Sequence, residues 1–438
     1  MTTLHDRLAD LADDAPPGGP APDLWDRGIR FRRRRRVGTA AILATAAVLI
    51  AAVAGVDWHR SAPEPLPAGG PVGLPDRVWT PSPWLPSTSR PGRLVAVTTT
   101  ARGTWTGTEP GVAGVSATTG RYAFVDLPDA VLESGVGDVE LSPDGRHLAY
   151  WLTGPTTGSP NSDSGPITGV GVYDTTSGEL TRHWITTVHG LAPDFLAWAD
   201  ADTIVYSAGQ FRGGDDDSLM DQSSSSHGIV TAWDPGGEPQ PVLGVEPGAD
   251  LEAAAYGRIL VQDLSADPHR DQLLVDLHEA SASRVVSFPR PGGTVGHLHA
   301  VALDASGRRL ALVLGNRNPN WVHAGPFGAQ RKVPTQQRAF GVVTWVAPDS
   351  IVTLTRHGWE NSALNRVAVT TGRSQRLVLL PGVSGGGWQF ATDLLGAPSV
   401  EATPPPTPMD PRLTTGLVAG VIVAAAGALV VWRRRARP

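Results

Sequence analysis

Through most of its middle the chain alternates apolar and polar residues in short runs, broken by Pro, Gly, Asp and Ser. Leu141 to Trp151 shows the pattern most clearly. Val139 and Leu141 alternate into a turn at Pro143-Asp144-Gly145, and Leu148, Ala149 and Tyr150 run out of it. Pro presets φ for the second turn position and Gly accepts the positive φ that ends such a turn, so the stretch predicts a β-hairpin. One hairpin cannot bury its own apolar face, so the pattern requires partners.

The partners lie elsewhere in the chain. Outgoing strands begin at Leu94, Leu148, Ile204, Ile259, Leu310 and Ile351, at spacings of 54, 56, 55, 51 and 41 residues. A second hairpin falls between them, marked by Thr118-Thr119-Gly120-Arg121, Thr176-Ser177-Gly178-Glu179, Pro235-Gly236-Gly237-Glu238, Ser281-Ala282-Ser283 and Thr370-Thr371-Gly372-Arg373. The copy expected between Trp321 and Gln337 is not visible. Two hairpins per unit make a four-stranded sheet, and self-similarity at this period is the signature of propeller blades. The expected fold is all-β, a six-bladed β-propeller over residues 93–397. The lone strand Arg93–Thr100 would pair with the last unit to close the ring. Five or seven blades are the alternatives, because the fifth unit is poorly marked.

Two stretches depart from the alternation. Val37 to Val56 and Thr414 to Trp432 are apolar runs of 20 and 19 residues. At about 1.5 Å per residue each matches the hydrocarbon thickness of a bilayer. Arg30 and Arg32 to Arg36 precede the first run; Arg433 to Arg435 and Arg437 follow the second. The positive-inside rule then predicts a two-pass protein of the plasma membrane, with both termini cytoplasmic, the middle extracytoplasmic and the lipid bilayer as a partner. The expected domains are a cytoplasmic segment (1–36), a transmembrane helix (37–56), a Pro-rich linker (57–92), the propeller (93–397), a second Pro-rich linker (398–413), a transmembrane helix (414–432) and a basic tail (433–438). Leu4, Leu8 and Leu11 share one helical stripe, where a cytoplasmic regulator could dock on residues 1–36.

Composition narrows the chemistry. The absence of Cys excludes disulfides, thiolate zinc sites and Cys nucleophiles. Between the two Arg-rich ends the chain carries 24 basic and 36 acidic residues, an acidic balance that argues against nucleic acid as a partner. Gly382-Val383-Ser384-Gly385-Gly386 has the spacing of a nucleophile elbow without the following helix. Asp215 to Asp217 lack the spacing of a calcium loop. His297 and His299 would share a strand face, with no third metal ligand evident. No catalytic, cofactor or metal residue is therefore assigned. Arg317 to Lys332 reads as a long loop, and Trp321, His323, Phe327, Arg331 and Lys332 on it are the candidate recognition residues.

At Ser142-Pro143-Asp144-Gly145-Arg146, with Leu148-Ala149-Tyr150 following, the chain resembles the propeller repeats of the TolB and WD40-like family. Leu303 to Arg308 and Ala347 to Ser350 are partial copies. The resemblance implies the fold, and turn-holding rather than catalytic roles for these residues. The N-terminus, with its short leucine helix, Leu24-Trp25-Asp26-Arg27 and Arg run, is similar to membrane proteins of actinobacteria, some of them anti-sigma factors. The zinc-binding Cys residues of one anti-sigma class are absent. The expected function is a binding module, a sensor or scaffold for a protein or cell-envelope ligand. The alternatives are a signalling protein whose residues 1–36 restrain a regulator, and a propeller enzyme such as a glycosidase or lactonase.

Overall fold

The computed structural model describes residues 72–435 apart from 133–138, 162–164, 213–226, 263–270, 280–282, 288–296, 316–320, 336, 358–360, 383–386 and 409, together with Ala9 and Asp13. Pro63–Pro408 form one compact unit. Its described residues build six antiparallel sheets of four strands, one of them with an added fifth, and these are the blades of a propeller. Five blades take four consecutive strands each. The second blade is Val139–Leu141, His147–Thr153, Ile167–Asp174 and Leu180–Trp184. The third is Leu191–Trp198, Ile204–Gln210, Thr231–Trp233 and Gln240–Pro241. The fourth is Leu251–Ala255, Arg258–Gln262, Asp271–Asp276 and Ser283–Ser287. The fifth is His297–Leu303, Arg309–Gly315, Trp321–Pro326 and Arg331–Lys332. The sixth is Ala339–Ala347, Ser350–His357, Asn361–Ala368 and Ser374–Pro381. From the second blade to the sixth, the first strand of each blade contacts the first strand of the next, and Trp388–Phe390 contacts that of the second, so these strands line the ring's centre.

The first blade closes the ring with both ends of the unit. Leu94–Gly103, Thr108–Ser116 and Tyr122–Val125 come from the N-terminal side. Trp388–Phe390, from the far end, adds antiparallel to Leu94–Gly103 with Trp388 opposite Thr98 and Phe390 opposite Ala96. The strand at Leu94 does meet the end of the chain, as its sequence suggested. It brings two strands of its own, however, and the sixth blade is complete without it. The second hairpin that the sequence hid in the fifth blade is Trp321–Pro326 with Arg331–Lys332.

Residues 72–92, which read as a stand-off linker, pack on the propeller. Leu74–Pro75 pairs in parallel with Ser399–Val400, Val78 donates its backbone N–H to the Leu379 carbonyl at 2.9 Å, and Ser87–Thr88 adds in parallel to Tyr122–Val125. The Tyr173 hydroxyl of the second blade donates to the Ser89 carbonyl. The segment thus runs over the outer strands of the sixth, first and second blades. Leu74, Val78 and Leu85 are buried, and this sparse apolar set holds the Pro-rich stretch down.

Flat aromatic side chains fill the spaces between blades. Trp151 meets Tyr206 edge to face at 6.2 Å, joining the second and third blades. Trp198 Nε1 donates to the Glu140 carbonyl at 2.9 Å, and Trp345 Nε1 repeats the bond to the Ala302 carbonyl at 3.2 Å. Trp198 pairs opposite Ile204 and Trp345 opposite Ile351, the equivalent places in their blades, so one inter-blade contact occurs twice. Trp184 differs: it ends the outermost strand of its blade and is half-exposed, with its ring over Gly154 and Gly169.

The two-pass topology and the plasma-membrane location are corrected. Among the described residues no helix is long and apolar enough to cross a membrane. Residues 37–56 lie outside the described ones. A helix, α1 (Pro411–Arg435), forms over the second candidate span.

Candidate functional site

The first strands of the second, third, fourth and sixth blades, with the closing strand, line a cavity of about 400 Å³, a size typical of small-molecule pockets. One part of its lining is polar and comes from these strands and the turns that follow them. It includes Glu140 of the second blade, Asp200 just past the first strand of the third, Tyr256 of the fourth, and Thr392 and Asp393 after the closing strand. The other part is apolar and lies along the seam where the sixth blade meets Trp388–Phe390. Val343, Leu354, Leu364, Leu380, Trp388 and Phe390 form it.

Glu140 is the most perturbed group in the cavity. Its side chain is largely surrounded by protein. That burial pushes its carboxyl up to about 8, against the smaller lowering effect of a hydrogen bond from Gln389. Gln389 Nε2 donates to Glu140 Oε1 at 3.1 Å and to the Val139 carbonyl at 2.7 Å, while its Oε1 accepts from the Leu141 N–H at 3.0 Å. One amide therefore ties the closing strand to the first strand of the second blade.

Asp393 sits at the mouth. Its backbone N–H donates to the Pro143 carbonyl at 3.0 Å. Partial burial and then the neighbouring Asp144 raise its carboxyl, and Arg93 opposes them. Arg93 is itself held by the Asp144 carbonyl, to which its Nε donates at 2.7 Å. Asp200 accepts from the Asp202 and Thr203 N–H groups at 2.9 and 2.7 Å, and its other oxygen lies 3.6 Å from His278 Nε2.

Tyr256 is held in a costly conformation. With Gly257 it makes the two-residue turn between the first strands of the fourth blade, at φ 55° and 70°. Such a turn asks for positive φ at both positions, where Asn, Asp or Gly is the usual choice. A bulky side chain there is strained by about 1 kcal/mol or more. The Tyr256 hydroxyl donates across to the Trp345 carbonyl of the sixth blade at 3.1 Å, which fixes the ring on the cavity wall.

The residues singled out from sequence lie elsewhere. Trp321, His323, Phe327, Arg331 and Lys332 fall on the outer hairpin of the fifth blade rather than on a long loop. Lys332 Nζ lies over the Trp321 ring at 3.3 Å from its centroid, and His323 pairs across from Lys332. Burial, and then Lys332, hold the His323 imidazole below its usual range. Phe327 is partly buried against the core beneath. His297 and His299 lie on the innermost strand of the fifth blade, where their side chains fall outside the described ones, and Ser384 and Asp215 to Asp217 also lie outside. The cavity residues were missed because they come in small groups from segments far apart in the chain. The available signal was Tyr256, an aromatic beside Gly257 where a tight turn is expected.

No protein family and no curated protein matches the chain. Solved structures to which it is similar include a prolyl endopeptidase, at 17% identity over 64% of this chain and 42% of that one, with a TM-score of 0.41. TolB from Acinetobacter baumannii is similar at 14% identity, over 68% of this chain and 66% of that one, with a TM-score of 0.38. An acylaminoacyl peptidase from Pyrococcus horikoshii is similar at 13% identity, over 64% and 42%, with a TM-score of 0.37. The chain thus spans less than half the length of either peptidase. The six-blade assignment rests on the sheets themselves.

Proposed function

We propose that the propeller is a binding module and that its recognition site is the cavity at the ring's centre. The observation that carries the reading is Tyr256. A non-glycine residue kept at positive φ, with its ring braced against Trp345 two blades away, lines the cavity at a cost to the fold. Apolar walls with a few convergent polar groups are the usual composition of a ligand pocket, which supports the same reading.

A photo-crosslinking side chain placed at Ala201, on the cavity lining, and separately at Leu243, exposed and absent from that lining, tests it in cells that express the protein. A species trapped at 201 and not at 243 supports the reading. Equal trapping at both positions, or none at 201, overturns it.

Glu140 favours one second reading, a channel enzyme. A carboxyl that stays protonated near neutrality is suited to general-acid work. In that case Glu140→Gln would abolish turnover of a glycoside or lactone panel. A binding module shows no turnover to lose.

A further inference from the structure

We infer that the cavity takes an organic cation, an amine or guanidinium on an apolar body. The inference rests on the cavity being the binding site and adds the class of ligand. Three observations carry it. The first is the sign of the lining: it holds the Asp200 and Asp393 carboxylates, with the Glu140 carboxyl beside them as a hydrogen-bonding group, and no Arg, Lys or His lines it among the described residues. The nearby cationic side chains stand behind the lining rather than in it. Arg93 is bound to the Asp144 carbonyl, and His278 reaches Asp200 from outside the lining. A cationic group entering the cavity would meet the Asp200 and Asp393 carboxylates in a partly enclosed place, where Coulomb attraction exceeds that in bulk water.

The second observation is the division of the cavity. The acids come from the second blade, the third blade and the turn after the closing strand. Leu354, Leu364, Leu380, Trp388 and Phe390 come from the seam of the sixth blade with the closing strand. A ligand with a charged end and an apolar end fits that division. An inorganic cation would leave the apolar arm unused.

The third is the aromatic content. Trp198, Tyr256, Trp388 and Phe390 all contribute to the lining. Aromatic faces beside carboxylates are suited to amines and guanidiniums, which they attract through the ring quadrupole. Tyr256 is kept there in spite of its φ, so its ring contributes something that the turn alone does not need.

Three probes of one shape decide the matter: 4-phenylbutylammonium, 4-phenylbutanol and 4-phenylbutanoate, titrated into the full chain with calorimetry and a thermal shift as readouts. The ammonium is expected to bind at least about tenfold more tightly than the alcohol, an attraction of about 1.4 kcal/mol from the carboxylates, and the carboxylate most weakly. Asp393→Asn and Asp200→Asn should each weaken the ammonium about fivefold while leaving the alcohol unchanged. Tyr256→Asn, which suits the turn, should keep the melting temperature within a few degrees yet lower affinity for the ammonium.

Equal binding of ammonium and alcohol, or preference for the carboxylate, overturns the cation assignment and leaves the binding module standing. Absence of binding by all three overturns the assignment too, while trapping at position 201 judges the module by itself. A protein trapped at 201 that the ammonium fails to displace also overturns it.

Discussion

Gln389 Nε2 donates to Glu140 Oε1 at 3.1 Å, joining residues 249 positions apart. With its bonds to the Val139 carbonyl and from the Leu141 N–H, this side chain fastens the closing strand to the neighbouring blade. Trp388–Phe390 is only three residues long, so side-chain bonds carry an unusual share of the closure. Gln389→Ala should cost about 2–4 kcal/mol, at roughly 1 kcal/mol per lost bond with an added penalty for the backbone groups left unpaired. A shifted urea midpoint at unchanged slope would confirm it. An unchanged midpoint would mean that the backbone ladder alone closes the ring.

Glu140 makes stability depend on pH. Burial lifts its carboxyl from 4.5 to about 8 in the folded protein. Between those values the folded state keeps a proton that the unfolded chain releases. Stability therefore falls as pH rises through this window, by at most about 1.4 kcal/mol per unit, and levels off above it. Burial raises Glu252 and Asp393 as well, so they act in the same direction. The difference between wild type and Glu140→Gln isolates the single group. Melting temperatures measured from pH 5 to 8 should fall less steeply in the variant, and parallel curves would rule the assignment out.

Two glycines with the same backbone need have unequal tolerance. Gly120 and Gly145 both sit at positive φ, 64° and 78°. A Cβ on Gly120 would meet nothing within 4 Å, whereas one on Gly145 would lie 2.0 Å from the Leu94 carbonyl oxygen. That oxygen belongs to the first blade, and the Leu94 N–H donates to the Gly145 carbonyl at 2.7 Å. Gly120→Ala should cost about 1 kcal/mol, the conformational term alone. Gly145→Ala should cost several times more, because the first and second blades must separate. Thermal denaturation of the pair checks this, and equal losses would show that only the turn matters.

Gly145 also shows what the sequence could reveal. The turn itself was legible, since Pro-Asp-Gly between alternating runs has a local cause. That Gly145 docks against Leu94 was not, because the contact forms only when the ring closes. The blade count was readable for the same local reason, from outgoing strands spaced by some 50 residues. The fifth blade's outer hairpin was hidden because its turn, Phe327-Gly328-Ala329, lies within a stretch whose aromatics suggested recognition. Residues 72–92 were misread because Pro predicts a stiff chain, while three apolar side chains bury it. The cavity was illegible because its walls come from residues far apart, and strand parity does not say which face turns to the channel. Tyr256 carried the one usable signal, an aromatic where a tight turn wants Asn or Gly.

The turns of the second and fifth blades reach one geometry with their residues exchanged. Ser142 Oγ donates to Asp144 Oδ1 at 2.7 Å and accepts from the Arg146 and His147 N–H groups at 3.1 and 2.9 Å. In the fifth blade Asp304 Oδ1 accepts from the Arg308 and Arg309 N–H groups at 3.0 and 2.8 Å, and Ser306 Oγ donates to Asp304 Oδ2 at 2.7 Å. The turn needs one acceptor at its first position, facing two N–H groups, and a hydroxyl–carboxylate pair beside it. Which residue supplies which is immaterial. Ser142→Asp alone would place two carboxylates together and should cost about 1–2 kcal/mol at neutral pH, relieved on acidification. Asp144→Ser alone loses a charge-assisted bond and should cost a similar amount. The double variant, Ser142→Asp with Asp144→Ser, should recover most of both losses, because it rebuilds the fifth-blade arrangement. A coupling of about 1 kcal/mol or more in the double-mutant cycle would establish the equivalence. Simple additivity would show that the surroundings of Asp144, including Asp393 and Arg93, fix the order instead.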